Sequence, residues 1–203
     1  GGWPVMMAGA GADRYAERHG LAMRAPDDFV TDLRRAQWKK WRDAKLRPGA
    51  TDEDDAALDH DLEQEPDGPG TVGAVALDAH GRLAAATSTG GMTGKPPGRV
   101  GDTPVIGAGT WADARVAVSC TGVGEAYLRA CAAHEVGVQM RAEGADLAVV
   151  CEHVLDLVEP LGGRGGLIAV GADGSVALPF RVTLMYRGVW KNGRAFTAIG
   201  PDP

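Results

Sequence analysis

The side chains in this sequence best placed to do chemistry are hydroxyls with no histidine partner. Thr71 follows Gly70, Thr87-Ser88-Thr89 closes one apolar run, and Thr121-Gly122 closes another. His19, His60, His80, His134 and His153 are scattered without ligand spacing, so neither a serine–histidine pair nor a metal centre is indicated. A threonine that becomes the first residue of a chain needs neither. Its α-amino group titrates at roughly 7.7–8.0, so near neutral pH it is partly unprotonated and can accept the proton of its own hydroxyl. Thr71 has the setting for this: an acidic stretch ends in Pro69-Gly70 before it, and an apolar strand pattern follows it. Gly70 has no Cβ to restrict how its carbonyl is presented, so the same hydroxyl could attack that carbonyl and cut its own chain. Taken singly, each of these threonines has a plainer reading, because Thr suits strands and bonds local backbone.

Other motifs fall away. A phosphate-cradling GxxxxGK[ST] loop fails twice, since Gly94-Lys95 is followed by Pro96 and position 89 is Thr. Gly122-Val123-Gly124 opens a helical pattern but lacks the third glycine and the βαβ setting of a dinucleotide site. His134-Glu135 lacks the second His of a zinc-protease helix. Cys120 has no suggestive histidine and reads as a small buried hydrophobe. Cys120, Cys131 and Cys151 are odd in number and show no CxxC spacing, which predicts a reducing, cytoplasmic setting without disulfides.

Two regions must position these groups. Trp3 to Ala8 reads as a short strand and Ala12 to His19 as a helix ended by Gly20. A second helix, capped by Asp27 or Asp28, runs from Phe29 to Leu46 with Phe29, Leu33, Trp38 and Trp41 on one face and a basic face opposite. Residues 48–70 hold nine acids and neither Lys nor Arg, so the formal charge of −6 belongs to this one segment, which reads as a flexible linker. With the rest of the chain only mildly positive, no concentrated basic face predicts nucleic-acid binding, and no apolar run predicts a membrane span.

From Thr71 the character is β. TVGAVALD and LAAATST form a hairpin through Ala79-His80-Gly81-Arg82, and their nearly unbroken apolar runs predict cover on both faces. A Gly/Pro-rich loop at 90–103 leads to strands at Val105–Trp111 and Arg115–Cys120. Helical spacing spans Gly124–Gly144 and Ala145–Val158. The tail carries a hairpin through Ala172-Asp173-Gly174-Ser175 and a weaker strand near Val182–Tyr186. Blocks of strands and blocks of helices predict a layered α+β sandwich with helices outside. The chain opens without Met, as if partway through a strand, and reads as a fragment whose sheet edges would be exposed.

Four contiguous segments carry a further signal: TVGAVALD after Gly70, AAATSTGGMTGKPPGRVGDTPVIGAGTWAD, VAVSCTGVGEAYLRA and GGRGGLIAVGADGSVALPF. Together they resemble the plant-type L-asparaginase/isoaspartyl peptidase family of N-terminal-nucleophile hydrolases, densely from 71 to about 188, and PVMMAGAGADRYAERHGL resembles the end of that family's α portion. The resemblance implies a four-layer αββα sandwich, with 1–47 as the end of the α portion, 48–70 as linker and 71–203 as the β portion. It implies self-cleavage at Gly70-Thr71, then hydrolysis of L-asparagine and β-aspartyl dipeptides through a β-aspartyl ester on Thr71. Thr89 would orient the Thr71 hydroxyl and amine, and Thr121 and Gly122 would be oxyanion donors. Arg99 and Asp102, in GRVGD, would hold the substrate's α-carboxylate and α-ammonium, with the Gly124 carbonyl adding to the latter.

Arg99 suits a carboxylate because its planar fork meets both oxygens, whereas Lys95 offers a point charge. Without the resemblance, Arg99 and Asp102 read as a loop ion pair. The family's structural alkali cation would lie in a front segment upstream of Gly1, and no cofactor is implied within this chain. Partners would be small-molecule substrates and further αβ units in a homo-oligomer. A glycosylasparaginase-type amidase and an inactive or unprocessed family member remain as alternatives.

Overall fold

A computed structural model describes residues 4–46 and 70–200, and the linker expected at 48–70 lies outside the described residues except for Gly70. The chain divides into two compact units, Gly1–Pro48 and Gly49–Pro203. In the first, α1 (Gly9–Arg18) is ended by Gly20 at φ +71°, whose N–H donates to the Glu17 carbonyl. No strand precedes it within Pro4–Ala8. The long helix expected from Phe29 is divided. A 3₁₀ turn at Pro26–Phe29 ends in extended backbone at Val30, and α2 spans Asp32–Lys45. The capping oxygen comes from neither Asp27 nor Asp28 but from Thr31, whose hydroxyl accepts from the Arg34 N–H at 3.2 Å. Phe29 consequently lies off the helix and is exposed.

The second unit is built on a four-stranded antiparallel sheet in the order β3 (Thr110–Ala112), β4 (Val116–Gly122), β5 (Gly165–Gly171), β6 (Val176–Ala177). On one face, Val116, Val118 and Cys120 of β4 and Leu167 and Ala169 of β5 share a core with α3 (Gly124–Ala130), α4 (Ala132–Gln139) and α5 (Leu147–Val158). α5 supplies Leu147, Val150, Cys151, Val154, Leu155 and Val158 at helical spacing. Asp146 caps it by accepting from the N–H groups of Ala148 and Val149.

Against the other face lies the hairpin of β1 (Val72–Leu77) and β2 (Leu83–Ser88), in register from Val72↔Ser88 to Leu77↔Leu83. Its turn is tied by Asp78, whose carboxylate accepts from the N–H groups of His80 and Arg82. Contact is close because Gly73 has no side chain: a Cβ there would lie 2.2 Å from Ser119 Oγ and 3.6 Å from Ile168 Cδ1. That space lets Ser119 Oγ approach Thr87 Oγ1 at 2.7 Å, and the Thr110 hydroxyl joins the same cluster.

The hairpin departs from expectation in being covered on one face. Val72, Ala74, Ala76, Ala84 and Ala86 alternate with packed residues and are exposed among the described residues, because small apolar side chains disguise a period of two as a continuous run. Three further expectations are corrected. Residues Val105–Gly109 are turns rather than strand, since the Asp102 carbonyl collects the N–H groups of both Val105 and Gly109. The helix expected over Gly124–Gly144 breaks at Cys131, at φ +48°, which lets α4 donate the N–H groups of Ala133 and His134 to the carbonyls of Ala108 and Gly107. In the tail, β7 (Arg187–Lys191) and β8 (Arg194–Ala198) pair around Asn192-Gly193, both at positive φ, and Val182–Tyr186 is not strand. No helix among the described residues is long and apolar enough to cross a membrane.

Overpacking at the hairpin contact should be measurable. Gly73→Ala is expected to destabilise the protein by about 1–3 kcal/mol in urea unfolding, and less in a Ser119→Ala background, which removes the clashing oxygen but leaves Ser119 Cβ 3.0 Å from the added methyl.

Candidate active site

The strand ends converge on one cleft. It is lined by Gly70, Thr71 and Thr89 from the two ends of the hairpin, by Arg99 and Asp102 from the loop after β2, and by Thr121 and Gly122 at the end of β4. Antiparallel pairing explains the first three, because the start of β1 and the finish of β2 are neighbours across the Val72↔Ser88 pair. Thr71 is half-buried and its hydroxyl makes no hydrogen bond among the described residues. The Thr89 hydroxyl accepts from the Gly91 N–H at 3.1 Å.

Gly122 must be glycine for two reasons. Its φ of +147° is one that other residues rarely adopt, and a Cβ would lie 2.1 Å from the Arg164 carbonyl oxygen. Gly165, its partner across the β4–β5 pair, is equally crowded: a Cβ there would lie 2.0 Å from the Thr121 carbonyl oxygen. The following Val123 N–H donates to Arg164, which fixes the turn from β4 into α3.

The tight turn at 102–109 places Asp102 inside the protein, 5% exposed. Its Oδ2 lies beside Gly109, where a Cβ would be 2.8 Å away, and has no hydrogen-bond partner among the described residues. Burial is the main reason its carboxyl is raised to about 6, against the opposing pull of nearby backbone N–H groups and Arg99. The Asp102 carboxylate thus stands in the cleft wall with one oxygen buried and unpartnered among the described residues.

Arg99 does not pair with Asp102. Its Nε and Nη2 donate to the two carboxylate oxygens of Glu125, each at 2.9 Å, and Nη2 also reaches Met92 Sδ at 3.4 Å. The guanidinium lies against two glycines. A Cβ at Gly101 would come within 2.7 Å of Nη1, and one at Gly124 within 2.9 Å of both Nη2 and Asp102 Oδ1. Gly124 is thus packed against both charged groups without lining the cleft itself. Every residue singled out from the sequence lies in this neighbourhood. Sequence reasoning passed over Glu125, whose place in the first turn of a helix reads as ordinary charge complementarity, and Met92, which reads as loop.

Neighbouring groups do not compete for the chemistry. Cys120 is wholly buried and its thiol is pushed well up by desolvation, so it stays a thiol. Among the described residues no three His, Cys, Asp or Glu side chains group to hold a metal ion.

Because the folded protein holds Asp102 above its unfolded value, ionising it opposes folding. The cost is greatest at neutral pH and fades as the pH falls through about 6 toward 4. Asp102→Asn is therefore expected to raise stability at pH 7 by on the order of 1–3 kcal/mol in urea unfolding, with the gain shrinking by more than half at pH 4.5.

Comparison with known proteins fits this arrangement. The model of the family described as asparaginase matches residues 4–199. The chain is 50% identical to the isoaspartyl peptidase of Escherichia coli, over 90% of this chain and 56% of that protein. It is 36% identical to the isoaspartyl peptidase/L-asparaginase of Mus musculus, over 95% of this chain and 56% of that one. Against the isoaspartyl peptidase/L-asparaginase of Danio rerio it is also 36% identical, over 87% and 53%. The chain spans a little over half the length of these curated relatives. With a match that runs through both the α1–α2 unit and the strands around the cleft, the chain belongs to the asparaginase family.

Proposed function

We propose that this chain carries the catalytic half of a self-cleaving amidohydrolase acting on the side-chain amide of L-asparagine and on β-aspartyl dipeptides. The observation that carries this reading is the joining of Thr71, next to Gly70, with a buried carboxylate that has one unpartnered oxygen and with an arginine in one cleft. A free amino acid group presents one ammonium and one carboxylate, and Asp102 and Arg99 are the matching charges. Holding both ends fixes which carbonyl of the substrate faces Thr71.

In maturation, the Thr71 hydroxyl attacks the Gly70 carbonyl, the acyl group passes from nitrogen to oxygen, and water hydrolyses the resulting ester. This leaves a carboxylate on Gly70 and a free amine on Thr71. In turnover, that amine takes the hydroxyl proton as Thr71 Oγ1 attacks the substrate's side-chain carbonyl. The carbonyl oxygen becomes negative, and the Thr121 hydroxyl and Gly122 N–H are its donors; such a donor is typically worth about 100- to 1,000-fold in rate. The proton returns to the leaving nitrogen, which departs as ammonia or as an amino acid. Water then splits the β-aspartyl ester and releases aspartate. Thr89, beside Thr71 at the open end of the hairpin, orients the Thr71 side chain and amine.

The same reading takes the complete fold as a four-layer αββα sandwich, with paired αβ units in the assembly and a cytoplasmic setting. The three layers seen in the second unit support it, as does the apolar outer face of β1–β2, which has no cover among the described residues.

Intact mass tests maturation: the expressed protein should divide at Gly70-Thr71, and Thr71→Ala should abolish both cleavage and release of aspartate. Cleavage that persists in that variant would remove Thr71 from the mechanism. Release of an N-acetylglucosaminyl product with no action on β-Asp-Leu would place the protein instead with the glycosylasparaginase type.

A further inference from the structure

Arg99 is a long, rotamer-rich side chain in a loop, yet the reading above requires its guanidinium to meet a carboxylate at a fixed place. Something must hold it. The two-point fork from Glu125 does so: Nε meets Oε1 and Nη2 meets Oε2, both at 2.9 Å. This uses one edge of the guanidinium. Nη1, on the remaining edge, makes no hydrogen bond among the described residues and lies over Gly101, a residue of the cleft wall.

Exposure separates the two partners. The Arg99 side chain is 12% exposed and lines the cleft, whereas the Glu125 side chain is 49% exposed and does not line it. Glu125 therefore stands behind Arg99, on the solvent side. From there it cannot itself receive the substrate, whose carboxylate it would repel. The fork also joins the loop carrying Arg99 and Asp102 to the first turn of α3, whose first residue Gly124 packs against Nη2 and Asp102 Oδ1. The short side chain of Asp could not reach both nitrogens from the same backbone position. Gln could accept one hydrogen bond but would turn its NH₂ group toward the second donor.

We propose that Glu125 is a positioning residue that holds the Arg99 guanidinium in the cleft wall, so that Nη1 is left to receive the α-carboxylate of the amino acid substrate. This rests on the reading of Arg99 and Asp102 as the clamp. Glu125 touches no reacting atom, so its removal disorders substrate capture and leaves the chemistry at Thr71 in place.

The experiment compares the mature, full-length protein with its Glu125→Ala, Glu125→Gln and Glu125→Asp variants. The measurements are KM and kcat for L-asparagine, calorimetric binding of L-aspartate, and the urea midpoint. Expected is a rise in KM of roughly tenfold for Ala, a smaller rise for Gln, kcat within about twofold, and weaker L-aspartate binding in the same order. Unchanged KM and unchanged L-aspartate binding overturn the proposal, as does a loss of kcat that tracks a lowered urea midpoint across the three variants. If the parent protein turns over no asparagine but binds L-aspartate, the hydrolase reading fails and the binding series still decides the role of Glu125. If the parent neither turns over asparagine nor binds L-aspartate, the clamp and this proposal fall together.

Discussion

Strand β4 has to be dry on both sides, and the rest of the second unit follows from meeting that requirement. Val116 through Cys120 are buried without interruption, so one face needs helices and the other needs a second β layer. α3 to α5 supply the first and the β1–β2 hairpin the second. Once the hairpin is pressed against Ser119 and Ile168 through the gap at Gly73, its open end has one place to lie. That place is beside the end of β4, so a burial constraint brings the threonines at 71, 89 and 121 to one cleft.

The clamp is assembled by different means. No strand carries Arg99 or Asp102, and the 102–109 turn folds on its own backbone hydrogen bonds. Glycines at 101, 109 and 124 let charged groups lie directly on main chain. The arrangement is costly to folding, since Asp102 is held where its charge is poorly solvated. A core optimised for stability alone would not keep that carboxylate. The proposed clamp accounts for its retention, because a substrate ammonium would supply the missing positive charge.

Much of this was legible in the residues, unevenly and for physical reasons. The hydroxyls stand out because they terminate apolar runs, and a strand end is where a side chain leaves the core for the cleft. The Asp78 turn and the α5 stripe follow from local chemistry and periodicity. Cys131 was not legible, since nothing in its own residue type announces a left-handed conformation. That break exists to serve carbonyls at 107 and 108, which are distant in sequence. Val105–Gly109 misled because an apolar run can be buried as turns as readily as strand. The β7–β8 hairpin was announced by Asn192-Gly193 and passed over. Glu125 was hidden because its partner, Arg99, lies 26 residues away. Only the folded chain shows which of several nearby acids that arginine selects.

The glycines around the cleft differ in what obstructs a larger residue, and this governs how the protein can tolerate genetic change. At Gly73 the obstacles are the Oγ and Cβ of Ser119, both side-chain atoms, so shortening Ser119 can relieve a substitution there. At Gly122 and Gly165 the nearest obstacles are carbonyl oxygens of Arg164 and Thr121, which every residue type possesses. No exchange of a neighbour can make room. The two positions are therefore mutational dead ends, fixed by the main chain itself.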